Sequence, residues 1–194
     1  MIAPVRTTET FMFEGTAPLK GESDILGFYQ GMTFDNVGTL DKNEWRHSDP
    51  QNGYTADGMG HDLAFTYSDG GSLFHSSGET FSLKTGQFAS AWETGEQATF
   101  SAYKGGVLQG SQTVSLDQTK SMIHFSSAFM HIDQVMLTVV DGGAGINGST
   151  GNQLAMDNLK VVWDGGIPSS GAEPFHHPTD MLSQHAHLSG EFLL

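Results

Sequence analysis

A two-residue alternation of apolar and polar side chains, repeated in short runs and cut by glycine, leaves this chain few folds to choose from. The alternation is cleanest in Gln97–Tyr103, where Ala98, Phe100 and Ala102 fall on one side and Gln97, Thr99, Ser101 and Tyr103 on the other. A period of two puts successive side chains on opposite faces of a strand, so such a run buries one face and wets the other. Lys104-Gly105-Gly106 supplies a turn, and Gln109–Leu116 reads as the returning strand of a hairpin. The same pattern predicts strands over Thr10–Glu14, Gly27–Phe34, Leu63–Tyr67, Glu79–Leu83, Gln87–Trp92, Met122–Phe125, Gln134–Val140 and Gln153–Trp163. About ten short strands at this spacing, with no helical period and no strand–helix alternation, predict an all-β sandwich of antiparallel strands in two sheets.

Composition agrees. Charged residues make up only 15% of the chain, so solubility must come from Ser, Thr, Asn, Gln and Gly, which favour turns and strand surfaces over helices. A length of 194 residues suits one domain with a tail: a sandwich over 1–163, then a Gly/Pro/His-containing segment over 164–194. With 8 basic against 22 acidic residues, phosphate backbones and anionic lipid repel the chain, which argues against nucleic acid and membrane surfaces as partners. The absence of cysteine rules out disulfides, thiolate metal sites and a cysteine nucleophile. No stretch approaches the ~18 apolar residues of a membrane span. The last residues, Glu191-Phe192-Leu193-Leu194, an acidic side chain followed by three apolar ones, resemble the uncleaved C-terminal signal of bacterial type I secretion substrates.

Catalytic signatures are missing where they would be legible. The run Asp141–Gly151 (DGGAGINGSTG) has the glycines of a phosphate loop but neither the lysine nor the helix that should come after it, and reads as an inter-strand loop. There is no His-Glu-x-x-His and no Gly-x-Ser-x-Gly elbow. The reading is therefore of a binding protein, with a lyase or hydrolase as the minor alternative. Nine histidines leave a haem or metal carrier open, and His176, His177, His185 and His187 sit together in the tail. Among the aromatics, Tyr29, Trp45, Tyr54 and Trp92 are candidates for stacking on a sugar ring, with Trp45 and Tyr54 flanking the polar run Arg46-His47-Ser48-Asp49-Pro50.

Several segments, in order, resemble the extracellular β-sandwich domain of bacterial PEP-CTERM-type proteins, within the wider group of jelly rolls built like carbohydrate-binding modules. They are Tyr29-Gln30-Gly31-Met32-Thr33-Phe34, Gly78–Trp92 (GETFSLKTGQFASAW), Ala98–Leu116 (ATFSAYKGGVLQGSQTVSL), Phe125–Val140 and Gln153–Val161 (QLAMDNLKV). The resemblance covers Phe28 to Val162 and implies a jelly roll whose first and last strands lie side by side. It further implies a structural calcium held by Glu14 and Asp157, with Asp24 of the acidic run Glu22–Asp24 as a contributor. The chain departs from the family in lacking the Pro-Glu-Pro motif and membrane anchor. The chain is thus expected to be a secreted, calcium-stabilised module that binds extracellular polysaccharide. The alternative is a matrix or biofilm protein that self-associates as a homo-oligomer through its sheet edges.

Overall fold

The computed structural model describes residues 6–17, 24–43, 52–67, 72–76, 78–140, 142 and 151–167. Among the described residues there are thirteen strands and two single 3-10 turns, Gly53–Thr55 and Ser127–Phe129. The strands are β1 (Thr7–Phe11), β2 (Asp24–Ile25), β3 (Phe28–Tyr29), β4 (Met32–Asp35), β5 (Val37–Asp41), β6 (Asp62–Thr66), β7 (Ser72–Ser76), β8 (Phe81–Ser90), β9 (Glu96–Lys104), β10 (Val107–Leu116), β11 (Ser121–His124), β12 (Gln134–Val140) and β13 (Leu154–Trp163). All pairings are antiparallel and form two sheets. The first has the order β11-β8-β13-β6-β5-β2 with β1 also on β13, and the second β10-β9-β12-β7-β4-β3. This is the predicted jelly-roll sandwich.

The inward faces meet in a core that includes Phe11, Phe34, Phe74, Phe81, Phe88, Phe100 and Trp163, each no more than 1% exposed. Alternation in β9 and β12 matches the pattern read from the sequence: Ala98, Phe100 and Ala102, and Val135, Leu137 and Val139, are buried, while their neighbours reach toward solvent.

Three segments differ from expectation. Glu79–Leu83 and Gln87–Trp92, expected as separate strands, form one, β8, with Gly86 in its middle. A side chain at Gly86 would lie 2.6 Å from the Phe88 ring and 2.7 Å from Leu159, so this glycine makes room for packing and does not turn the chain. Conversely, Gly27–Phe34 is not one strand but the tight hairpin β3–β4, turned at Gln30 and Gly31, both at positive φ. Third, β6 does not alternate between buried and wet, because all five of its residues are buried. Residues 52–60 fold over the outer face of the first sheet and bury Leu40, Leu63, Phe65, Ala89 and Ala155 against Tyr54, Ala56 and Met59 as a second apolar cluster. The first sheet is thus covered on both faces across its centre. No helix of the described residues is long and apolar enough to cross a membrane.

Candidate functional site

The last strand changes partner halfway along one edge. β13 pairs with β6 through Ala155 and Met156, then with β1 from Leu159 to Trp163. Asp157 and Asn158 fall at the seam. The register with β8 also slips there, and Asn158 has a φ of +50°. The chain leaving β1 (Phe13, Glu14, Gly15) and the chain entering β6 (Gly60, His61, Asp62) close on this seam. First and last strands lie side by side, and Glu14 comes to Asp157.

The contacts are specific. The Gly60 amide donates to Asp157 Oδ2 at 2.6 Å and the Asn158 amide to Oδ1 at 2.7 Å. Asn158 Nδ2 donates to Asp157 Oδ2 and to Gln87 Oε1. The His61 amide donates to Glu14 Oε1 at 2.9 Å, and the Gly15 amide to Asp62 Oδ2 at 2.7 Å. Gly60 has no room for a side chain, since a Cβ there would sit 2.6 Å from Glu14 Oε1, 3.0 Å from Asp157 Oδ2 and 3.3 Å from the Asp62 carbonyl oxygen. Oxygens from three chain segments therefore converge on one point. His61 lies at the rim, its Nδ1 3.0 Å from Asp62 Oδ1 and 3.7 Å from Asp41. Ligand atoms of Glu14, His61 and Asp62 lie within 4.8 Å of one another.

Electrostatics reflect this crowding. Asp157 is fully buried, and burial pushes its carboxyl up to about 6; Glu14 adds to the rise, while the Gly60 and Asn158 amides and the Lys42 charge oppose it. His61 is raised chiefly by its hydrogen bond to Asp62, with Asp41 and Glu14 contributing. Tyr29, stacked on Phe13 at 5.6 Å, is raised by burial and by the charges of Glu14 and Asp157. The donor set matches a hard cation that takes carboxylate and carbonyl oxygens. The backbone of Asp24 pairs with Thr39 in β2, three strand steps from β13 (~14 Å at ~4.8 Å per step), and its side chain lies outside the described residues. Gly60, His61 and Asp62 were not singled out together from the sequence. Their only signal there was an acidic residue and a histidine just ahead of a strand.

The described aromatic candidates, Tyr29, Tyr54 and Trp92, do not come together as a platform. Trp45 lies outside the described residues, as do His176, His177, His185 and His187. Tyr54 was expected at the surface and is 1% exposed: residues 52–60 carry it into the second cluster, so it has no free ring face. Its hydroxyl and Trp92 Nε1 both donate to Gln153 Oε1, at 2.9 and 2.7 Å, and the two rings meet edge to face. Trp92 is half-buried against the same cluster. Tyr29 belongs with the acidic seam.

The second sheet is different because, among the described residues, its outer face is open. Gln97, Thr99, Ser101 and Tyr103 of β9 and Gln134, Met136, Thr138 and Val140 of β12 all point outward, and none is charged. Thr99 bonds Thr113, and Ser101 bonds Ser111, each at 2.9 Å across to β10. At one end of this face a cleft of about 380 Å³ is lined by His75, Ser76, Gly78, Thr80, Asp133 and Gln134.

No protein-family model and no curated protein matches the sequence. Solved structures are similar to it in chain trace. One is a DUF4465 family protein from Bacteroides ovatus, at 9% identity and a TM-score of 0.46, covering 80% of this chain and 94% of that one. Another is a variant of a family 29 carbohydrate-binding module, at 8% identity and 0.42, covering 89% and 100%. A third is a family 61 carbohydrate-binding module in complex with β-1,4-galactotriose, at 12% identity and 0.37, covering 70% and 90%. At these values the likeness carries no functional inference.

Proposed function

We propose that this chain is a carbohydrate-binding module, stabilised by calcium and acting outside the cell. The observation that carries the binding role is the second sheet's outer face. Among the described residues it is broad and open, uncharged along β9 and β12, and rich in hydroxyl, amide, imidazole and phenol groups beside the apolar Met136 and Val140, in a chain whose net charge is −14. Such groups donate to and accept from sugar hydroxyls without needing a counter-charge. Shallow open faces bury little area, which sets affinities at roughly micromolar to millimolar. Affinity electrophoresis through gels containing soluble polysaccharides tests the reading: retardation on at least one supports it, and unchanged mobility on all of them refutes it.

Calcium is supported by the oxygens that converge on Gly60, with Glu14, Asp62 and Asp157 as the residues to hold it. Bound there, the ion would tie the two ends of the sandwich together and neutralise a crowded acidic seam. Extracellular location rests on the family resemblance in Phe28–Val162. A second reading, self-association, is favoured by Val107 and Leu108 at the tip of the β9–β10 hairpin, 63% and 53% exposed at the start of the edge strand β10. Light scattering over a concentration series separates the two.

A further inference from the structure

One outward row of residues runs without a break through all six strands of the second sheet. Leu108 pairs with Tyr103, Tyr103 with Gln134, Gln134 with His75, His75 with Thr33, and Thr33 with Phe28. Residues directly opposite each other in an antiparallel pair share a face, so all six side chains stand on the open side. Phe74 and Phe34, the neighbours of His75 and Thr33, point into the core and confirm the assignment. The row has a definite chemical order: apolar and aromatic groups at both ends, Leu108 with Tyr103 and then Phe28, and hydrogen-bonding groups between them. From Tyr103 to Phe28 is four strand steps, or ~19 Å at ~4.8 Å per step. Gln134 and His75, in the middle, also line the cleft.

On the reading that this chain binds carbohydrate, we propose that its ligand is an uncharged, linear glycan lying along this row, across the strands, with Tyr103 and Phe28 packing on sugar C–H faces and Gln134, His75 and Thr33 bonding the hydroxyls between. The span exceeds a single sugar ring, so the site selects a chain over a monosaccharide. Charge decides against acidic glycans. The row holds no lysine or arginine, and the charged groups beside its middle are carboxylates, with Lys104 confined to the hairpin end next to Tyr103: Asp35 lies 3.6 Å from His75 Nε2, and Asp133 accepts from the Gly105 amide at the cleft. A uronate or sulfate over the middle of the row would meet like charge. The same order explains why Leu108 is left exposed at the row's end.

The test uses the full chain in native gels containing neutral polysaccharides (hydroxyethylcellulose, glucomannan, galactan, xylan) or acidic ones (polygalacturonate, alginate). Calorimetry is then run on linear oligosaccharides of increasing length from the best neutral polymer. The expected result is retardation by at least one neutral polymer and by neither acidic one, with affinity rising with length and then levelling off. Tyr103→Ala and Gln134→Ala should each weaken binding about tenfold, a loss of ~1.4 kcal/mol. Thr113→Ala, two rows away on the same face, should change it by less than about twofold, within the scatter of a surface substitution. Thermal melts of each variant report folding, and Gln134→Ala keeps the test decisive should Tyr103→Ala unfold. Neutral retention that neither variant weakens places the glycan elsewhere and overturns the inference while leaving the binding role intact. Preferential retention by the acidic polymers does the same. No retention at all overturns both, and concentration-dependent assembly abolished by Tyr103→Ala would make this row a contact between copies instead.

Discussion

Gly60 is where the acidic seam can be probed with one methyl group. In Gly60→Ala the new Cβ would sit 2.6 Å from Glu14 Oε1, closer than carbon and oxygen tolerate, and 3.0 Å from Asp157 Oδ2, a tight contact. Asp157 is buried and held by three donor contacts, so it cannot yield. Glu14 is exposed and can swing away, but only by giving up its bond from the His61 amide. Losing a hydrogen bond to a charged group costs ~1.5–3 kcal/mol. In a domain of this size that lowers the melting temperature by roughly 2–4 °C per kcal/mol, or about 3–12 °C in all. Gly27→Ala is the control, because a Cβ there meets nothing within 4 Å. Melts are followed by circular dichroism in EDTA and in millimolar calcium. Calcium at ~100 times its Kd should add ~2.7 kcal/mol to the parent protein, and much less once Glu14 is displaced. If Gly60→Ala melts with Gly27→Ala in EDTA, the crowding at the seam is refuted. If calcium shifts neither the parent nor the variant, the calcium proposal falls while the steric argument stands.

Single contacts set the other expectations. Tyr54→Phe removes one of two donors to Gln153 Oε1 while Trp92 keeps the other, so it should cost ~0.5–1.5 kcal/mol in urea denaturation and leave polysaccharide retardation unchanged. Glu93 accepts from the amides of Gly142 and Gly151, at 2.6 and 3.3 Å, and so ties together the two ends of segment 143–150. Glu93→Ala should speed amide exchange at both glycines and leave β9 and β12 protected. Asp164 feels burial, which raises its pKa, but Thr80, His131 and Arg6 outweigh it and hold the carboxyl below its usual 3.8. A depressed carboxylate stabilises the fold above the unfolded pKa and loses that contribution as pH falls through the folded one. Asp164→Asn should therefore lower stability at neutral pH, and in melts across an acid series the gap to the parent should narrow below about pH 4 and close once the folded carboxylate is neutralised.

How much of this was legible in the sequence depended on whether the signal was local. The strands Glu96–Lys104 and Gln134–Val140 were readable because one face of each is core and the other water, the condition under which a period of two is visible. β6 broke the rule because residues 52–60 bury its outer face, and nothing in the pattern of Asp62–Thr66 says that a distant segment will cover it. The same covering segment took Tyr54 inside. β5 and β7 went unread: Val37–Asp41 holds four consecutive buried residues, and Ser72–Ser76 is polar at both ends. At the seam, Glu14 and Asp157 were expected together from family resemblance and not from spacing, since 143 positions separate them. Gly60, His61 and Asp62 arrive from a third segment, and only the partner change along β13 brings them in.

The two sheets divide the work in a way that bears on where any ligand can go. The first sheet spends its outer face on a second apolar cluster, and the edge of its last strand on the acidic seam. Groups there are committed: Tyr54 and Trp92 to Gln153, Asp157 to Gly60 and Asn158, Glu14 to His61. A ligand displacing any of them would have to replace a buried hydrogen bond at least as good. Among the described residues, the second sheet has no such cover over β9 and β12. Its outward hydroxyls bond one another in pairs, Thr99 with Thr113 and Ser101 with Ser111, which engages part of the capacity of those rows. The row through Tyr103, Gln134, His75 and Thr33 crosses every strand of that sheet and carries its widest range of donors, acceptors and apolar rings. Among the described residues, this row can take a partner at the lowest cost to the fold.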